Sequence, residues 1–140
     1  MVEIISINFS NAVLLENFLK SAGSSLSRFR YYSTRDILSS LMNHKVTYIL
    51  FEEEDSVAYG HLDYDGTRMW LGLCVKENYV GRGYGKYMMN ALVSAYNGDI
   101  FLSVDVANTT AIRLYEKFGF KIIDGSETVY YMRKYNDTNL

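Results

Sequence analysis

The chain of 140 residues contains no proline, one cysteine, two histidines and one tryptophan. Without proline, every turn must be built from Gly, Asn, Asp and Ser. The lone Cys74 excludes an intramolecular disulfide and a cysteine-rich zinc site, and His44 and His61 stand in no metal-ligand spacing, so no metal is expected. Such cysteine usage fits a reducing, cytoplasmic compartment. No stretch reaches the roughly 18 uninterrupted apolar residues of a membrane span, and the opening MVEIISINFS has no basic start of a secretory signal. No membrane partner is expected. Fourteen basic side chains against 16 acidic ones give a net charge of -2 with no basic tract, which leaves nothing to displace counterions from a phosphate backbone. Nucleic acid is therefore excluded as a partner.

What the chain does have is a hydrophobic fraction of 49% and 13 tyrosines, enough apolar surface for one well-formed core. One domain is expected over residues 1–135, with a frayed tail over 136–140. Glu3 to Ile7 reads as a strand, and Leu14, Leu15, Phe18 and Leu19 fall at helical spacing that stops near Gly23. Ser33 to Asp36 matches a capping box ahead of a second helix with Ile37, Leu38, Leu41 and Met42 on one face. Val46–Phe51, Val57–Tyr64 and Arg68–Val75 are β-prone, and Tyr84, Tyr87, Met88, Ala91, Leu92 and Ala95 mark the most regular helix. Ile100–Val106 is a strand, and Asn108 caps a helix with Ala111, Leu114, Tyr115 and Phe118 on its face. Gly119 and Phe120 close that helix in a Schellman motif, and Lys121–Asp124 and Thr128–Arg133 complete the strands. This order predicts a mixed α/β fold, with a mostly antiparallel central sheet of six to seven strands, and excludes a doubly wound sheet.

Asp65-Gly66 between two strands predicts a two-residue hairpin, pairing Tyr64 with Thr67. Asp63 then lies opposite Arg68, His61 opposite Trp70 and Tyr59 opposite Gly72, so His61 and Asp63 share a face.

The most informative segment is Val80-Gly81-Arg82-Gly83-Tyr84-Gly85-Lys86, between a strand and the regular helix. Glycines let backbone N–H groups approach an anion, and the first helical turn adds unpaired donors and the positive end of the dipole. Val80 and Tyr87 break the Walker A spacing, and glycines at 81, 83 and 85 break the dinucleotide fingerprint, so neither ATP nor NAD is indicated.

The loop resembles the acetyl-CoA loop of the GNAT acetyltransferase superfamily, [QR]-x-x-G-x-[GA] after a strand ending in valine, with Val80 at the usual Gln or Arg position. Asn108 to Phe120 is similar to the superfamily's N-x-x-A-x-x-x-Y-x-x-x-G-F signature. The resemblance implies a GNAT fold and direct acetyl transfer from acetyl-CoA, as co-substrate, to an amine. It assigns Val80, Gly81, Arg82, Gly83, Tyr84, Gly85 and Lys86 to the cofactor, with the amides of Arg82, Gly83, Gly85 and Lys86 on the pyrophosphate. Backbone groups of Leu73 and Val75 would pair with the pantetheine arm where the two flanking strands splay, and Asn108 would touch the cofactor from the far side. Tyr115 matches the tyrosine that protonates the departing thiolate.

A glutamate found early on the corresponding strand in some members is replaced here by Met69 and Trp70. That leaves His61 and Asp63 as the titratable candidates for the base, with Asp105 next, or water in their place. The acceptor is expected against Arg28, Arg30, Tyr31, Tyr32 and Trp70, where arginines alternate with aromatics in a way that suits a ring bearing an anionic group. The expected acceptor is a small-molecule amine, such as an amino sugar or a nucleotide-linked amino sugar. A protein N-terminus or lysine, and a CoA-binding module without catalysis, are the alternatives. Edge strands at the C-terminus leave room for a homodimer.

Overall fold

The computed structural model describes residues 1–136, and 137–140 of the expected tail lie outside the described residues. The elements run β1 (Val2–Ser6), α1 (Val13–Ser21), α2 (Ile37–Leu41), β2 (His44–Glu52), β3 (Asp55–Tyr64), β4 (Met69–Val75), α3 (Tyr84–Ser94), β5 (Ile100–Asp105), α4 (Thr109–Lys117), β6 (Lys121–Gly125) and β7 (Val129–Lys134). Two short 3₁₀ turns, Gly23–Ser27 and Tyr31–Ser33, fill the segment between α1 and α2. The seven strands form one sheet in the order β1-β2-β3-β4-β5-β7-β6, antiparallel throughout except for the parallel pair β4–β5. Among the described residues no helix is long and apolar enough to cross a membrane.

Strand alternation divides the core in two. Leu50, Ala58 and Leu62 pack with Met88, Met89 and Leu92 of α3 and with Tyr115 and Phe120 around α4. Ile49, Tyr59 and Cys74 face the other way, onto Leu15, Phe18 and Ala22 at α1. Helices therefore cover both faces, as expected for so apolar a set of strands. The Schellman closure of α4 forms as the sequence predicts, with the Phe120 N–H on the Tyr115 carbonyl and the Gly119 N–H on the Glu116 carbonyl.

Two local expectations are corrected. Helix α2 is capped by Asp36, which accepts from the Ser39 N–H at 3.0 Å, and not by Ser33; the helix has only five residues, and Leu38 and Met42 are exposed. The β3–β4 turn sits one residue later than Asp65-Gly66. Asp65 accepts from the N–H groups of Thr67 and Arg68 and from Trp70 Nε1, while its own N–H donates to the Arg68 carbonyl. Gly66 and Thr67 are thus the central residues, with Gly66 at φ 97°. The partners slide by two, so Asp63 faces Trp70, His61 faces Gly72 and Tyr59 faces Cys74. An even slip preserves the faces, and His61 and Asp63 still point the same way.

Strands β4 and β5 pair only at Met69–Ile100 and Trp70–Phe101, and beyond those two rungs they part. The split positions the candidate site.

Candidate active site

The Lys76 N–H bonds the Val57 carbonyl, and antiparallel alternation then turns the backbone groups of Val75, Leu73 and Leu71 away from β3 and into the split. The Val75 carbonyl accepts the Ser25 hydroxyl at 2.6 Å, which ties the first 3₁₀ turn to the edge of β4. A cavity of about 1430 Å³ occupies the split, with Leu71 to Val75 on one wall and Ser103 to Asp105 on the other. An extended chain with alternating donors and acceptors fits such an edge as an added strand does.

At one end of the cavity the glycine loop meets α3. Gly81 and Gly83 take φ 80° and 88°, a left-handed conformation that places their backbone at the helix start without a Cβ penalty. The first intrahelical bond of α3 runs from the Tyr87 N–H to the Gly83 carbonyl, so the N–H groups of Tyr84, Gly85 and Lys86 have no carbonyl one turn back. Free donors and a dipole in this arrangement suit an anion such as a pyrophosphate. Val80, Gly81, Gly83, Tyr84, Gly85 and Lys86 all line the cavity. Arg82 does not: its guanidinium lies over the Tyr79 ring at 5.1 Å. Asn108 lines the cavity too, with its side-chain oxygen held as the cap of α4 by the Ala111 N–H.

Tyr115 reaches the split from α4. Burial, with a smaller effect from nearby Cys74, raises its phenol well above the ordinary tyrosine range, so the group keeps its proton at neutral pH. Burial likewise pushes the Cys74 thiol up to about 12 and makes it a poor nucleophile.

The face bearing His61 carries a cluster of aromatic and titratable groups. His61 is 2% exposed, and its Nδ1 lies 2.7 Å from the Tyr59 hydroxyl, which lies 2.6 Å from the Tyr32 hydroxyl. The Tyr31 hydroxyl donates to Asp63 at 2.8 Å and lies 2.9 Å from His44 Nε2, while His44 Nδ1 lies 2.7 Å from the Thr47 hydroxyl. The two imidazole centroids are 4.5 Å apart. Burial holds His44 down to about 4 and holds His61 well below its ordinary value, so both rings are neutral.

Arg28, Arg30, Tyr31 and Trp70 line the same cavity, but Tyr32 stands behind it, bonded to Tyr59. Arg30 is not a free cation: it grips Asp105 at 3.0 and 3.2 Å, joining the segment between the 3₁₀ turns to the end of β5. That pairing also removes Asp105 as a free base. Trp70 Nε1 is held by Asp65, and Asp63 is held by Tyr31 in place of the expected Arg68. Reasoning from the sequence missed Tyr59, His44 and the Arg30–Asp105 pair; the hairpin register was the signal that brings Tyr59 beside His61.

The acetyltransferase (GNAT) family profile matches residues 14–120. A spermine/spermidine N(1)-acetyltransferase of Bacillus subtilis (strain 168) is 39% identical over 80 residues, covering 53% of this chain and 49% of that protein. The match thus spans about half the length of the curated relatives. Among solved structures, the ribosomal-protein-S18-alanine N-acetyltransferase of Escherichia coli superposes with a TM-score of 0.74 at 18% identity, covering 100% of this chain and 99% of that one. A spermidine N-acetyltransferase of Vibrio cholerae, in complex with CoA and spermine, gives 0.70 at 16%, covering 96% and 95%. With the split sheet, the glycine loop at α3 and the closed α4 motif in place, a family match across most of the sequence settles the assignment: the chain belongs to the GNAT family of acetyltransferases.

Proposed function

We propose that the protein transfers an acetyl group from acetyl-CoA directly to a primary amine of a small molecule. The observation that carries this reading is the open edge of β4, which runs from the glycine loop to Tyr115 within one cavity. Acetyl-CoA supplies the activated acyl group. The loop amides at the start of α3 hold its pyrophosphate, and the backbone groups of Leu73 and Val75 hold its extended arm. In the transfer an N–C bond forms and a C–S bond breaks, the nitrogen gives up one proton and the sulfur takes one. His61 Nε2 receives the first, and the Tyr115 phenol, kept protonated by burial, supplies the second. Asp63 orients Tyr31 through the hydroxyl it accepts. Cys74, protonated and buried, takes no part as a nucleophile.

Arg28 and Arg35 line the acceptor side and form no salt bridge among the described residues, although the Arg28 charge acts on Asp105 from farther off. Two cations of this kind beside Phe29 and Tyr31 favour an amine that also carries an anionic group, such as an amino-sugar phosphate or a nucleotide-linked amino sugar. A polyamine is the second reading, favoured by the partial similarity to the Bacillus subtilis protein. The expected homodimer would use β6, the outer strand, where Ile122 and Ile123 are exposed.

Calorimetric titration of acetyl-CoA into the wild type and into Gly83→Glu tests the cofactor site, with Gly83→Ala as the control for backbone strain. Binding lost only in the glutamate variant supports the reading, and a wild type that does not bind refutes it. Parallel assays with glucosamine 6-phosphate, spermidine and N-terminal peptides then sort the acceptors. Acetylation of peptides alone would sink the small-molecule assignment.

A further inference from the structure

The cavity is lined by six cationic side chains, Arg28, Arg30, Arg35, Lys86, Arg113 and Lys117, and by three carboxylates, Asp63, Asp65 and Asp105. The carboxylates all belong to the acceptor side, where Asp105 pairs with Arg30, Asp65 caps its own turn and Asp63 holds Tyr31. The surplus of positive charge therefore sits at the other end, on Lys86, Arg113 and Lys117. These side chains form no salt bridge among the described residues, and all of them are exposed. The one glutamate on α4, Glu116, lines a separate small cavity with Phe120 and Lys121.

Helix α4 brings two of these cations to the glycine loop. Leu114 packs so closely on Gly85 that its Cδ2 lies 3.1 Å from where a Cβ at that position would stand. Arg113 adjoins Leu114, and Thr110, Arg113 and Lys117 follow one another at helical spacing along one side of α4, all of them lining the cavity. Like charges one turn apart on a helix repel, and no carboxylate lining this end of the cavity offsets Arg113 and Lys117. A dianion between them turns that repulsion into charge-assisted contacts, with the Arg113 fork suited to two oxygens of one phosphate. Lys86 and the free N–H groups at the start of α3 belong to the pyrophosphate, so the α4 pair is left for a second phosphate.

We propose that Arg113 and Lys117 form a distinct subsite that recognises the 3′-phosphate on the ribose of CoA. The idea deepens the acetyltransferase reading and rests on it. In CoA that phosphate hangs one ribose away from the pyrophosphate, and the two cations stand on the helix that packs against the glycine loop. The consequence is selection of the acyl donor. A CoA thioester offers α4 its phosphate monoester, whereas an acyl group on dephospho-CoA, or on a protein-bound phosphopantetheine, has none to offer there.

The test is calorimetric titration of CoA and of 3′-dephospho-CoA, at low salt, into the wild type, the Arg113→Met, Lys117→Met double variant and Lys86→Met. Circular dichroism confirms that each protein is folded. The wild type should bind CoA roughly tenfold or more tighter than dephospho-CoA. In the double variant the ratio should fall to about twofold or less, because CoA binds more weakly while dephospho-CoA binds as before. Lys86→Met should weaken both ligands and keep the ratio. Equal affinities in the wild type, a ratio that survives the double variant, or a ratio lost in Lys86→Met alone would overturn the proposal. A wild type that binds neither ligand would remove the cofactor reading itself, whereas one that binds both alike would leave that reading standing without the subsite.

Discussion

Gly72→Ala should be far more damaging than its single methyl group suggests. Gly72 takes no left-handed φ, so the backbone itself accepts alanine and the whole effect lies in contact. The new Cβ would stand 2.5 Å from both Cε1 and Nε2 of His61. Carbon contacts settle near ~3.5 Å or beyond, so the ring must retreat by about 1 Å. Behind it are the Tyr31 ring at 4.3 Å and the His44 ring at 4.5 Å, which leave little room. Moving away also stretches the 2.7 Å bond to Tyr59 beyond useful geometry. Overpacking costs about 1–3 kcal/mol and the lost hydrogen bond about 1 kcal/mol, a total of about 2–4 kcal/mol. For a chain of this length that corresponds to a fall in Tm of roughly 6–15 °C. Thermal unfolding followed by circular dichroism should be compared for Gly72→Ala, His61→Ala and the double variant. Once the ring is gone the methyl has space, so the alanine at 72 should cost little in the His61→Ala background, a coupling of about 2 kcal/mol. A Tm within about 2 °C of the wild type, or an equal cost in both backgrounds, would refute the contact argument.

Tyr115→Phe should reduce kcat roughly a hundredfold while the calorimetric Kd for acetyl-CoA stays put; a matching loss in Kd would make the hydroxyl a binding group instead. Acid should destabilise the protein early. His44 has a folded pKa of about 4 against an ordinary 6.5, and His61 is displaced in the same direction, so the unfolded chain binds more protons between those values. Stability is complete above about pH 6.5 and declines as pH falls toward about 4, and a Tm profile flat across that window would contradict it. Arg30→Ala removes an exposed ion pair worth at most about 1 kcal/mol, so Tm should move by no more than about 4 °C. KM for the acceptor should nevertheless change several-fold, and an unchanged KM would show that the bridge to Asp105 does not border the acceptor path.

Much of this fold can be read from local pattern. The spacing of Tyr84 through Ala95 and the Asn108–Phe120 signature mark α3 and α4, because capping and Schellman chemistry are written in adjacent residues. The cofactor side of the site follows from the same segments. The acceptor side does not, and two side chains explain why. Asp65 folds back on the amides of its own turn and moves the β3–β4 pairing by two residues, a contest between side chain and backbone that a dipeptide rule does not weigh. A bulge between His44 and Val46 reverses the alternation at the start of β2, so His44 shares a face with Asp63 and not with Val46. Counting by twos back from Val46 puts His44 on the wrong side of the sheet, which hides its contact with His61.

Only two rungs, Met69–Ile100 and Trp70–Phe101, join the four-strand panel β1 to β4 to the three C-terminal strands within the sheet. A seam that narrow divides one sheet into two panels that can lose their order separately. Native-state hydrogen exchange should accordingly resolve two cooperative units, the amides of β1 to β4 closing and opening together and those of β5, β7 and β6 on their own schedule. Strands β2 to β4 are made of neighbouring hairpins, while β1 is brought to β2 across α1 and α2 and the C-terminal panel to Met69 and Trp70 across α3. A ligand that spans the seam would bridge both panels, and its binding would be felt as slower exchange on strands it never touches.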